Sequence, residues 1–139
     1  MRYRTLRWLA TPAGVALACA AGIWLYLETA FGIGLGAGLR CLFGGKEPGT
    51  CATPSETVRF WIWAVASGAL SGLASVLLAV LAAPKHRRKV RLIAALAAPL
   101  AWLWFFDWDL SDPTALVLMA SSLAGGFISW FILPRYWWA

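Results

Sequence analysis

The chain has 139 residues, of which 61% are hydrophobic and 13% are charged, and its formal net charge is +6. Soluble domains contain roughly 45–50% apolar residues, and a soluble domain this small would leave much of its apolar surface in water. Length and composition therefore exclude an ordinary soluble domain and predict one integral membrane domain over residues 1–139.

Four apolar stretches follow one another along the chain. They cover approximately residues 8–27, 58–83, 90–106 and 113–133. About 20 apolar residues in a helix cross a hydrocarbon core of about 30 Å, whereas spanning strands would alternate apolar and polar residues. The predicted fold class is all-α: a polytopic membrane protein with four transmembrane helices in a small antiparallel bundle.

Capping and proline signals agree with these boundaries. Ser55 is a predicted cap before the second helix, and Asp112 followed by Pro113 is typical of the start of the fourth. Pro84 comes just after the second stretch, where it cannot continue the helix. Pro99 lies inside the third stretch and predicts a kink there.

A glycine at every second position distinguishes the segment Gly32–Gly38, directly after the first predicted span. Glycine is unfavourable in helices, so we expect a bent or re-entrant segment here. Its spacing differs from the glycine motif of dinucleotide-binding proteins, which also requires a preceding strand. The role of this segment is left open by the sequence.

Charge orients the predicted bundle. The ends that carry the two termini hold nine basic residues and no acidic one: Arg2, Arg4, Arg7, Lys85, Arg87, Arg88, Lys89, Arg91 and Arg135. The opposite ends hold three basic and six acidic residues. Basic residues remain in the cytoplasm, so both termini are predicted to be cytoplasmic in a bacterial-type inner membrane.

Small residues recur at every fourth position in three of the predicted helices. In lipid, such residues let helix backbones approach closely, and positions four apart share one helix face. The predicted packing residues are Gly14, Gly22, Gly68, Gly72, Ser121, Gly125 and Ser129. Packing within the bundle accounts for most of them, but a bundle this thin also leaves small-residue faces for another subunit.

Two of the three cysteines flank a glycine-rich loop on the predicted outer side. Cys41 and Cys51 are close in sequence, and disulfides persist outside the cytoplasm, so we expect a structural disulfide between them rather than free thiols. Cys19 stands alone in the first span. A thiol-exchange relay needs a second cysteine pair, so the sequence does not indicate one.

The predicted cytoplasmic turn is strongly basic. Lys85, Arg87, Arg88, Lys89 and Arg91 are the residues that we expect to contact anionic lipids. The single histidine lies among them and cannot form a metal site alone, because metal ligands come in sets. We predict no nucleic-acid binding and no cofactor, with a bound lipid as the ligand that the composition leaves open.

Aromatic and acidic residues mark the outer end of the third span. Trp102, Trp104 and Trp108 are candidates for a surface that contacts a lipid or a partner, although most tryptophans here fit simple interfacial anchoring. The polar candidates are Glu28, Asp107 and Asp109. They fall near the ends of the predicted spans, where interfacial charges are ordinary.

No catalytic set can be assembled, because the only histidine is predicted on the side opposite to every acidic residue. We therefore expect a non-catalytic subunit or accessory protein of a larger membrane complex, with membrane lipids and other membrane-protein subunits as partners. A homo-oligomeric small transporter or channel is the alternative, favoured by the size and the serine rows. A membrane immunity or defence protein is the second alternative.

Overall fold

The computed structural model describes residues 2–44 and 53–132, which form four helices and, within those ranges, no strand. The helices are α1 (Arg2–Gly44), α2 (Pro54–Ala82), α3 (Arg87–Phe105) and α4 (Pro113–Ile132). Residues Arg2–Leu35 of α1, all of α2 and all of α4 are long and apolar enough to cross a membrane. The all-α prediction is confirmed for this part of the chain.

The last three helices begin and end within about one turn of the predicted positions, and the starts of α2 and α4 are capped by side chains. Thr53, rather than the predicted Ser55, caps α2: its hydroxyl accepts a hydrogen bond from the Glu56 amide at 3.3 Å. The Glu56 carboxylate in turn accepts from the Thr53 amide at 3.4 Å. At α4, the Asp112 carboxylate accepts from the Thr114 amide at 2.9 Å.

The first helix is much longer than predicted. α1 continues through Gly32–Gly38 as an uninterrupted helix, so the expected bend is wrong. Each glycine costs about 1 kcal/mol in a helix, but extending an existing helix adds one backbone hydrogen bond per residue, and a propensity of this size is a weak constraint. Its 43 residues extend about 64 Å at 1.5 Å per residue, twice the hydrocarbon thickness.

α2 is the central helix of the bundle and contacts each of the other three. α4 packs against α2 and α3, whereas α1 packs along α2 and touches α3 only slightly. We call the end where α1 begins and α2 ends the basic end of the bundle. The other end, where α2 begins and α3 ends, is called the aromatic end.

α3 runs back along α2 from the basic end to the aromatic end. At the basic end, Val76, Ala79 and Ala83 of α2 form one apolar cluster with Val90 and Ala94 of α3. At the aromatic end, a second cluster contains Ala64 of α2, Trp102 of α3 and Leu118 of α4. The two clusters lie at successive heights of one interior that the helices share.

Candidate functional site

The backbones of α2 and α4 are in direct contact at three glycines. A Cβ atom at Gly72 would overlap the Ser122 carbonyl, and one at Gly125 would overlap the Ala69 carbonyl. A Cβ at Gly68 would overlap the Ser121 side chain. These glycines therefore allow the backbones of α2 and α4 to approach closely within this chain.

The α1–α2 contact uses the other two predicted glycines. A Cβ on Gly22 would lie 2.5 Å from the Ser71 Cβ, and one on Gly14 would lie 3.2 Å from the Leu78 Cβ. Ser129 of α4 is buried and donates a hydrogen bond to the Gly126 carbonyl at 2.6 Å. The small-residue faces of the sequence thus lie mainly against helices of the same chain.

A row of buried serines on α2 forms the polar part of the interior. Ser67 donates to the Trp63 carbonyl at 2.7 Å, and Ser75 donates to the Ser71 carbonyl at 2.7 Å. Ser71 donates to the Gly68 carbonyl at 2.8 Å and also accepts a hydrogen bond from the Trp102 indole N–H at 3.0 Å. The Ser71–Trp102 bond is a buried polar link between α2 and α3.

Replacing Ser71 with alanine should destabilise the bundle by about 0.6–1.7 kcal/mol, because the buried indole N–H loses its acceptor. Ser67→Ala is the matched control, since Ser67 is equally buried and its hydroxyl bonds its own helix. Chemical unfolding in detergent measures both variants. A Ser71→Ala effect that persists unchanged in a Trp102→Phe background would contradict the coupling.

Sequence reasoning missed the centre of the aromatic end, which is Tyr26 of α1. Its ring lies 5.6–6.4 Å from four other rings, all edge-on: Phe60, Trp102, Phe105 and Phe106. Edge-to-face pairs at these distances add stability beyond the buried area. The cluster joins α1, α2 and α3; its signal was the concentration of aromatic residues at the ends of three predicted spans.

The prediction that three tryptophans of α3 and the following turn form an exposed surface is only partly correct. Trp102 is 1% exposed and lies in the interior, so its assignment to a lipid or partner surface is wrong. The cause is its position on α3, which faces α2 and Ser71. Trp104 and Trp108 are 68% and 59% exposed. They remain candidates for contacts with lipid or a partner.

Arginines at the basic end pack onto the bundle. Arg7 of α1 donates to the Leu81 and Ala82 carbonyls at 3.1 and 3.2 Å, and Arg87 donates to the Ala83 carbonyl at 3.4 Å. Cationic side chains at the carbonyl end of α2 complement its helix dipole. These bonds fasten the starts of α1 and α3 to the end of α2.

Arg91 differs from its predicted role. It is 2% exposed, and its guanidinium lies 3.5 Å from the centre of the Trp130 ring of α4. It therefore stacks between α3 and α4 instead of facing lipid headgroups. The other predicted lipid-contact residues are at the surface: Lys85, Arg88 and Lys89 are exposed, and Arg87 is half-buried.

The turn between α3 and α4 carries two of the predicted polar candidates. Asp107 and Asp109 are exposed, and Asp107 has a positive φ of 52°. Ser111 donates from its hydroxyl and its amide to the Asp109 carboxylate, and these bonds lower the pKa of Asp109. Glu28, on α1, is exposed. These contacts fit acidic groups that shape a surface turn.

An open apolar groove lies between α1 and α3, with α2 as its floor. It has a volume of about 520 Å³, and its walls are almost entirely apolar. Trp8, Val15 and Cys19 line one wall. Val90 and Ala101 line the other. We call this feature the α1–α3 groove.

Two of the three cysteines can be located. Cys19 is half-buried, with its Sγ 3.6 Å from the Ser75 Oγ. Cys41 is near the end of α1, and Cys51 lies outside the described residues. The predicted Cys41–Cys51 disulfide therefore stays a prediction.

Neither metal-binding clusters nor relatives point to an activity. Within residues 2–44 and 53–132, no group of three or more histidine, cysteine or acidic residues is arranged to hold a metal ion. Comparison with protein-family models, curated proteins and solved structures finds no match for this chain.

Proposed function

We propose that this chain is a small non-catalytic subunit or accessory protein of a larger complex in a bacterial-type inner membrane, acting through helix–helix and lipid contacts. In this proposal α3 is a fourth crossing, beside the three long apolar helices. The path of α3 along α2 supports this placement. Val90 of α3 packs against the basic end of α2, and Trp102 of α3 bonds Ser71, nearer the aromatic end. A helix of 19 residues extends about 28 Å, close to the hydrocarbon thickness.

The proposed orientation has the basic end in the cytoplasm. Support comes from the excess of basic residues there and from the acidic residues of the α3–α4 turn at the aromatic end. Arg7 and Arg87 bond the carbonyls of α2 at the basic end, where their charges lie at the membrane surface in this orientation. Both termini are then cytoplasmic.

The observation that carries the subunit role is the far end of α1. Beyond Tyr26 the helix continues with exposed Phe31, Leu35 and Leu39, which are four residues apart and share one face. Apart from the neighbouring residues and backbone of α1 itself, no atom lies within 4 Å of where a Cβ on Gly32 or Gly34 would stand. About 20 of the 34 residues of Arg2–Leu35 suffice to cross the hydrocarbon core. In the proposed placement the span covers residues 8–27, so this apolar stripe extends beyond the lipid, where such a surface needs a protein partner.

The interior argues against the transporter alternative. The buried serine hydroxyls of α2 and α4 donate to carbonyls of their own helices, which uses the single proton that each hydroxyl can donate. Among the buried side chains of the described chain, Arg91 alone is charged, and it stacks on Trp130. Ion or proton pathways ordinarily include charged groups at membrane depth.

Co-purification of the tagged full chain in mild detergent tests the proposal. We expect defined membrane proteins to accompany the wild type and to be lost when Leu35→Arg places a charge on the α1 stripe. Ile33→Arg is the matched control, because two residues place it about 200° around the helix from Leu35.

Two results would reject the subunit role. A wild-type chain that elutes alone as a stable monomer has no larger complex to belong to. Complexes that contain only copies of this chain would instead support the homo-oligomeric alternative.

A further inference from the structure

We infer that the α1–α3 groove binds one acyl chain of an anionic phospholipid from the cytoplasmic leaflet, with the headgroup held between Arg4 and Lys89. The inference rests on the proposed membrane placement of α3. It names a specific lipid site within the broader role of lipid contacts.

The length of the groove fits half of a bilayer. It runs from Trp8 to Cys19 along α1 and from Val90 to Ala101 along α3. At 1.5 Å per residue, each wall is about 16 Å long, and half of a 30 Å hydrocarbon core is about 15 Å. An acyl chain that enters at the membrane surface therefore reaches the Cys19 end of the groove near the bilayer centre.

The walls of the groove suit an alkyl chain. α3 contributes mainly alanines on this side, including Ala94, Ala97 and Ala101, while Val15 and Pro12 contribute from α1. Small side chains on α3 create the space, and α1 barely touches α3, so the groove opens sideways. An alkyl chain can enter from the surrounding lipid without crossing a polar barrier.

Positive charge marks the mouth of the groove. Arg4 is four residues before Trp8, and Lys89 is four residues before Ile93, so each shares the helix face that lines the groove. Both side chains are exposed. The mouth also faces the start of α3, whose N-cap residue His86 makes no side-chain capping bond. Basic residues and a helix N-terminus at one mouth attract a phosphate.

A transmembrane helix of a partner is the competing occupant. The groove covers only half of the membrane depth and has basic residues at its mouth, whereas a partner helix would pack along the full height of α1. Charge and length therefore favour the anionic lipid.

Native mass spectrometry of the purified full chain in detergent tests the site, with phosphatidylglycerol or phosphatidylcholine added. We expect one phosphatidylglycerol to be retained in preference to phosphatidylcholine. Arg4→Gln with Lys89→Gln should reduce that preference about tenfold or more. Arg2→Gln with Arg88→Gln removes the same charge from the same end, off the groove face, and should leave the preference intact.

A second pair of variants tests the groove itself. Ala97→Trp fills it and should abolish retention, whereas Ala124→Trp, on the exposed face of α4, should not. Retention by both Ala97→Trp and the Arg4/Lys89 variant would reduce the lipid to a general annular contact and overturn the inference. Loss of a bound protein rather than a lipid in Ala97→Trp would assign the groove to a partner helix.

Two variants test the lipid site and the subunit role separately. Leu35→Arg should lose protein partners and keep the lipid, while Ala97→Trp should lose the lipid and keep the partners. Each proposal therefore fails on a different variant.

Discussion

Replacing Gly72 with alanine is expected to destabilise the bundle, while the same substitution at Gly34 should leave its stability unchanged or slightly higher. The first adds a methyl group that overlaps the Ser122 carbonyl of α4, where backbone rather than a movable side chain blocks it. Overpacking of this kind costs about 1–3 kcal/mol. The second adds a methyl group into open space and raises helix propensity by up to about 1 kcal/mol.

Thermal unfolding of the two variants in the same detergent measures the difference. Opposite or clearly unequal shifts of the melting temperature are expected, because helix propensity alone would stabilise both variants equally. Equal shifts for Gly72→Ala and Gly34→Ala would show that α2 and α4 are not in backbone contact at this point.

Gly72 and Gly34 differ because only Gly72 is packed against another helix, and the sequence predicts this difference only in part. Gly72 belongs to a row of small residues at spacing four, a pattern that indicates close approach of helices in lipid. Gly34 belongs to an alternating row of glycines, which predicts a bent or re-entrant segment. The structure contains no break, because propensity is a weak constraint on a segment that extends a helix already formed.

The starts and ends of the helices could be predicted from the sequence because their signals are local. Capping residues and prolines act within a few residues of sequence, so Asp112 and Pro113 indicate the start of α4 without knowledge of any neighbour. At α2 the same local chemistry offered two hydroxyl residues, Thr53 and Ser55. Only the structure distinguishes them, through the reciprocal bonds between Thr53 and Glu56.

The candidate groove was beyond sequence reasoning. Its walls belong to α1 and α3, which are separated in the chain by the whole of α2. Its width depends on how α1 packs against α2. Ala94, Ala97 and Ala101 are ordinary helix residues in the sequence. Arg4 and Lys89 gain a shared position only because α1 and α3 begin at the same end of the bundle. What the sequence contributed was the charge of that end.

The largest single effect is expected for Trp102→Ala, with a loss of about 3–5 kcal/mol in the free energy of unfolding. Trp102 is 1% exposed and packs with Ala64, Leu118 and the Tyr26 ring. Truncation leaves a cavity where α1, α2, α3 and α4 meet and removes the donor to Ser71. Surrounding helices can fill little of that space, since α2 and α4 are already in backbone contact.

Trp104→Ala is the matched control, because Trp104 lies two residues away on the same helix and is 68% exposed. Its removal should change the unfolding free energy by about 0.5 kcal/mol or less. Both variants can be compared by chemical unfolding of detergent-solubilised protein. Similar losses for the two tryptophans would mean that α3 does not present Trp102 to the interior. The Ser71 link, the aromatic end and the inward face of α3 would then all be misassigned, because each depends on that orientation.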